Sequence, residues 1–193
     1  MVNNMNKQNI KKYLAFIFIL LLIGVISGII YYYNLDSNIK ENVINTLAEY
    51  KIVNINNIFK HFLILVIILV LSIFVVGVPL AIFYLYFEGV TIGFTITIFT
   101  IKFGISGLLY GIIYNLATKL FFLFLLVIFL NKIFNITKII ISKIAYRNYH
   151  GFKTNIVLKF KSSLIILIII FINDLIIYLT SGKFLSIFNY LLK

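Results

Sequence analysis

Apolar residues in this chain gather into blocks near or above about 20 residues, the length at which a helix rising about 1.5 Å per residue crosses a bilayer. The first block covers residues 13–33 and the second, 58–101, has room for two crossings. Its break is expected at Gly77-Val78-Pro79, because proline lacks a backbone donor and biases the residue before it away from helix. A further block opens after Lys102-Phe103-Gly104, and the last begins near Leu164. The pattern therefore predicts spans at about 13–33, 58–78, 82–101, 105–130 and 164–180. Strict two-residue alternation, the mark of a membrane barrel, is absent, and backbone groups in lipid must bond within their own helix. The expected fold is an all-α integral membrane protein of about five transmembrane helices, one transmembrane domain over residues 1–193.

The polar stretches set an orientation through the excess of Lys and Arg in cytoplasmic loops. Residues 131–161 carry Lys132, Lys138, Lys143, Arg147, Lys153, Lys159 and Lys161 with no acid, whereas 34–57 mixes Asp36, Lys40, Glu41, Glu49 and Lys51. The N-terminus, with Lys7, Lys11 and Lys12, and the 131–161 loop are expected in the cytoplasm, and 34–57 outside. Five crossings make these placements consistent. Within the basic loop, Lys132, Asn135, Lys138, Ser142 and Arg147 recur at nearly helical spacing, with Ile133, Phe134, Ile136, Ile140, Ile141 and Ile144 opposite. That is the form of an amphipathic helix in the headgroup layer, with Lys132, Lys138, Lys143, Arg147 and Lys153 toward anionic lipid of the cytoplasmic leaflet. Residues 13–33 resemble a signal peptide at their start, but the run is too long and Ile30-Tyr31-Tyr32-Tyr33 stands where a small-x-small cleavage site belongs. It is read as a retained span.

Composition agrees: 63% of residues are hydrophobic and 11% charged, far from the mix of a soluble domain. The net charge of +12 would suggest a polyanion partner in a soluble protein, but its concentration beside apolar spans marks membrane topology, and no nucleic-acid partner is expected. With no cysteine, thiolate metal sites, disulfides and thiol nucleophiles are excluded. The two histidines, His61 and His150, fall on opposite sides of the expected topology and read as interfacial residues. No nucleophile motif, carboxylate cluster or phosphate-cradling loop accompanies them, so no catalytic site, metal or cofactor is expected, and the chain is not read as an enzyme.

Two features inside the spans remain. Gly24 and Gly28, Gly89 and Gly93, and Gly107 and Gly111 form small-xxx-small steps, which let helix backbones approach closely, within the chain or in a homo-oligomer. Glu88, Lys119 and Asp174 sit in apolar runs, where an uncompensated charge costs at least about 2.5 kcal/mol. The expectation is one buried ion pair, Lys119 with Glu88 or Asp174; the alternative is a proton or ion relay.

The middle of the chain resembles the stage II sporulation protein M family. The resemblance is carried by Val76-Gly77-Val78-Pro79-Leu80, by Tyr86-Phe87-Glu88-Gly89-Val90-Thr91-Ile92-Gly93-Phe94-Thr95, and by Lys102-Phe103-Gly104-Ile105-Ser106-Gly107-Leu108. It covers roughly residues 13–180 in span order and is specific between 76 and 120. The chain departs from the family's pattern at Glu88, where a basic or amide residue is common, and at Ala117-Thr118-Lys119, where the family has Pro-Gln-Asn. The resemblance implies a non-enzymatic, multi-pass component of the cell membrane. Such a protein would anchor the engulfment machinery together with the peptidoglycan-cleaving stage II sporulation proteins D and P. The competing implication is a permease-like subunit beside an ABC-type transporter.

Overall fold

A computed structural model of the chain describes residues 2–48, 55–146 and 152–191, and all but short turns among these are helical. The order is α1 (Val2–Tyr33), α2 (Ser37–Ala48), α3 (Ile55–Leu71), a 3₁₀ turn (Ser72–Phe74), α4 (Gly77–Tyr146) and α5 (Phe152–Leu191). Four stretches are long and apolar enough to cross a membrane: Ala15–Tyr33, Ile55–Phe74, Gly77–Ala145 and Thr154–Lys183. Arg147 and His150 lie outside the described residues.

The third of these stretches is not one rod. Gly104 has φ 66° and ψ −144°, a conformation essentially reserved for glycine, and it turns the helix back on itself. Gly107 then lies against the backbone of Phe99, and Gly111 against Ile96. The rings of Phe99 and Tyr114 lie 5.6 Å apart, tilted to one another. In a straight helix, residues 15 apart would stand about 22 Å from one another. The break expected before residue 105 is thus where the chain reverses.

The other expected break falls a few residues early. α3 ends at Leu71, the 3₁₀ turn follows, and Val75 takes a left-handed φ of 68° with its N–H donated to the Ser72 carbonyl (3.2 Å). Pro79 does not break a helix; it stands in the first turn of α4, where a missing N–H leaves no bond unmade. Gly77 serves close approach, because a side chain there would strike the backbone of Ser72 and Ile68.

The polar stretch after the first span, for which the hydropathy pattern gives no element, holds α2. Asp36 stands at the N-cap position, its carbonyl accepting the N–H groups of Ile39 (3.1 Å) and Lys40 (3.0 Å). Lys40 reaches back, donating from Nζ to the Tyr33 carbonyl at 2.9 Å and lying over the Tyr32 ring.

The chain forms two compact units: residues 1–45 with 83–115, and 46–82 with 116–193. The first holds α1, most of α2 and the reversal at Gly104. The second holds α3, its turn, both ends of α4 and α5.

In the second unit the basic segment is helical and partly buried. Residues 131–146 continue α4 without interruption, and Ile133, Ile136, Thr137 and Ile140 are buried. They extend a buried stripe that starts at Phe122 and runs through Leu125, Leu126, Phe129 and Leu130 at helical spacing. Part of the apolar side of this basic segment, through Ile140, therefore packs against protein, while Ile141 and Ile144 stay exposed. Thr137 Oγ1 donates to the Ser72 carbonyl at 3.2 Å, fixing the segment beside the 3₁₀ turn.

Candidate functional site

The glycine steps are helix contacts within the first unit. A side chain on Gly24 would meet the Gly89 Cα at 2.9 Å, and one on Gly89 would meet the Gly24 Cα at 3.0 Å. Gly28 faces the Val90 carbonyl and Gly93 the Val25 carbonyl, so the two steps on α1 and α4 interlock. Above the crossing, the buried Tyr32 ring and the Tyr31 ring lie 5.8 and 5.9 Å from the ring of Phe94. Thr91 and Thr97 turn their hydroxyls to the carbonyls of Glu88 (2.8 Å) and Gly93 (2.8 Å), which hides polar side chains inside the helix itself. Glu88 is buried in this unit.

The other two intramembrane charges belong to the second unit. There Asp174, on α5, meets His61 of α3: Oδ2 and Nδ1 stand 2.7 Å apart. One hydrogen bond therefore joins α3 to α5. Both side chains are mostly enclosed, at 22% and 14% exposure. Their positions follow from the helical stripes. On α3 the buried residues are Ile58, Leu65, Ile68 and Leu69, and His61 falls between the first two on the same face. On α5 Ser163, Ile166, Leu167 and Ile170 form a buried stripe, and Asp174 lies one turn beyond Ile170.

Aromatic residues neighbour the pair along the same helices, and one ring touches it. Phe171 lies 5.0 Å from Phe62 and 5.8 Å from Phe59, and the buried Phe122 ring lies 5.0 Å from the His61 ring. Lys119 Nζ stands 5.6 Å from the centroid of Phe122, within the range of a cation–π contact. Asn173 donates Nδ2–H to the second Asp174 oxygen at 3.4 Å. α3, α4 and α5 thus bring a histidine, a lysine, a carboxylate and an amide to one apolar neighbourhood.

His61 is the residue that sequence reasoning assigned differently, as an interfacial side chain. The signal was its spacing of three from Ile58 and four from Leu65, which sets it on the buried face of α3. Asp174 was expected to find Lys119 or to act in a relay; the bond it makes here is to a residue 113 positions away.

The basic residues divide. Lys138 is exposed, Lys132 partly so, and Lys143 holds its ammonium 3.7 Å over the ring of Phe152 at the start of α5. Among the described residues no group of three or more His, Asp or Glu side chains is placed to hold a metal ion. No protein-family model, no curated protein and no solved structure matches the chain.

Proposed function

We propose that this chain is a multi-pass cell-membrane protein that crosses the bilayer five times with its N-terminus in the cytoplasm. We further propose that it serves as a non-enzymatic scaffold for a peptidoglycan-remodelling complex of the engulfment type. The fifth crossing comes from dividing Gly77–Ala145 at Gly104, since a 69-residue helix is more than three times the length that spans hydrocarbon. The positive residues of 131–161 then lie in the cytoplasm and the mixed-charge 34–57 segment outside.

The observation that carries the scaffold reading is the coincidence of motif and packing. The residues that give the chain its resemblance to the stage II sporulation protein M family include Gly89, Gly93, Gly104 and Gly107. These same residues seal α1 against α4 and reverse the chain. Peptidoglycan hydrolases anchored in the membrane are the partners this reading names, with anionic lipids of the cytoplasmic leaflet around the basic end of α4.

One observation favours a second reading, a permease-like subunit of an ABC-type transporter. It is the set of ionisable side chains, Lys119, His61 and Asp174, placed within apolar helices of the second unit. Affinity capture of the tagged chain from sporulating cells separates the two. Co-purifying cell-wall hydrolases support the scaffold, and a co-purifying ATPase without hydrolases replaces it with the transporter subunit.

A further inference from the structure

We propose that a groove at the basic end of α4 seats one anionic phospholipid, with an acyl chain in the groove and the phosphate on Lys138. The groove is open, has a volume of about 360 Å³ and lies within the second unit. Val75, Val78 and Pro79 form one wall, at the turn into α4. Phe134, Lys138 and Ile141 form the other; spaced by four and then three, they fall on one face of the helix. The buried Thr137 lines the groove between them, and its hydroxyl donates to the Ser72 carbonyl at 3.2 Å. That bond ties the two walls together and leaves the lining apolar. Gly77, pressed against the backbone of Ser72 and Ile68, holds the turn close, so the groove is built by the packing of the chain itself.

An aliphatic chain suits this lining, and the charge at its rim selects the headgroup. Lys138 is the cation among the lining residues, and it is exposed. No acid occurs in residues 131–161, and among the described residues of the second unit the carboxylate side chain is Asp174, which is bonded to His61. A lipid phosphate complements the lysine where the chain brings no carboxylate. The bilayer is the source of this ligand, because Phe74 and Val76 on the same turn are exposed apolar side chains, as are Ile141 and Ile144 on α4. The Thr137–Ser72 bond holds the turn and the basic segment at one level. The orientation proposed above, on which the site rests for its leaflet, puts both at the cytoplasmic surface, where anionic lipid gathers.

The test is native mass spectrometry of the full chain, purified in detergent and offered equal amounts of phosphatidylglycerol and phosphatidylcholine. The first lipid retained is expected to be phosphatidylglycerol by about fivefold, the preference that one lysine beside an anionic headgroup contributes. Lys138→Gln is expected to abolish the preference while lipid is still retained. Lys60→Gln, which removes an equal charge from an exposed position on α3, is expected to keep it. Ile141→Trp fills the groove from an exposed position and is expected to lower retention of both lipids without changing elution on size-exclusion chromatography. Equal retention of the two lipids by the wild-type chain, an unchanged preference in Lys138→Gln, the same loss in Lys60→Gln or undiminished retention in Ile141→Trp overturns the proposal. A second copy of the chain bound in place of lipid overturns it as well. Retention in detergent does not depend on orientation, which cysteine labelling reads on intact cells, so the groove and the orientation fail separately.

Discussion

In the first unit the helices meet backbone to backbone, at Gly24, Gly28, Gly89 and Gly93, with Gly107 and Gly111 doing the same below the reversal. In the second, apart from Gly77 at the turn, they meet through side chains: a row of buried Leu, Ile and Phe, the Phe62–Phe171 contact, the His61–Asp174 bond and Thr137 on the Ser72 carbonyl. The two modes follow from what lipid withholds. No hydrophobic force draws helices together there, so association rests on van der Waals fit or on hydrogen bonds between helices. The glycine unit uses the first and tolerates no added volume. The side-chain unit uses both and tolerates repacking, provided that no charge is left alone.

The sharpest break of this comparison is Gly93→Leu. A side chain there would overlap the Val25 backbone, which cannot step aside as a flexible side chain would. A loss of about 3 kcal/mol or more is expected, seen as a fall in monodisperse protein on size-exclusion chromatography in detergent. Gly182→Leu, with no atom within 4 Å of the added carbon, is expected to behave as wild type. Equal behaviour of the two variants would mean that the glycine contacts carry no weight.

Next in size is the polar bond of the second unit. His61→Leu leaves Asp174 without its bonded imidazole and is expected to cost about 2–3 kcal/mol in unfolding free energy. His61→Leu with Asp174→Leu is expected to recover most of that loss, because two leucines suit the apolar surroundings. A double variant no more stable than the single one would show that the pair is not coupled in this way.

The smallest effects contrast the two positive-φ residues among those described. The first unit places glycine at its reversal, and Gly104→Ala, which meets no neighbouring atom, is expected to cost about 1–2 kcal/mol from conformation alone. The second unit places a β-branched residue at φ 68°, so Val75→Gly is expected to stabilise, by about 1 kcal/mol or less once glycine's extra freedom in the unfolded chain is counted. Unfolding midpoints of the purified variants check both signs.

The breaks and the glycine contacts were legible in the sequence because each depends on a residue with a property of its own. Gly104 alone takes the backbone through a reversal, and Gly89-xxx-Gly93 bares a backbone wherever it falls. The break near Pro79 was legible only to within a few residues, since proline marks a helix's first turn as readily as its end. His61 was not legible, because its meaning lies in a carboxylate 113 residues away and nothing local distinguishes a histidine near a helix start from an interfacial one. The buried part of the basic segment was hard to see for a related reason. Its lysines draw the eye from the stripe through Phe129, Ile133, Ile136 and Ile140, which continues the buried face of the preceding span.

The five-crossing arrangement is tested most directly by single cysteines in this cysteine-free chain, at Asn45, Ile105 and Asn148, exposed to an impermeant thiol reagent on intact cells. Residue 105 is 87% exposed beside the Gly104 reversal, and Asn45 is exposed at the end of α2. With the N-terminus inside and the chain reversing at Gly104, Asn45→Cys and Ile105→Cys are expected to label strongly and Asn148→Cys weakly. Equal labelling at 105 and 148 would contradict the reversal as a membrane turn, and equal labelling at 45 and 148 would contradict the orientation.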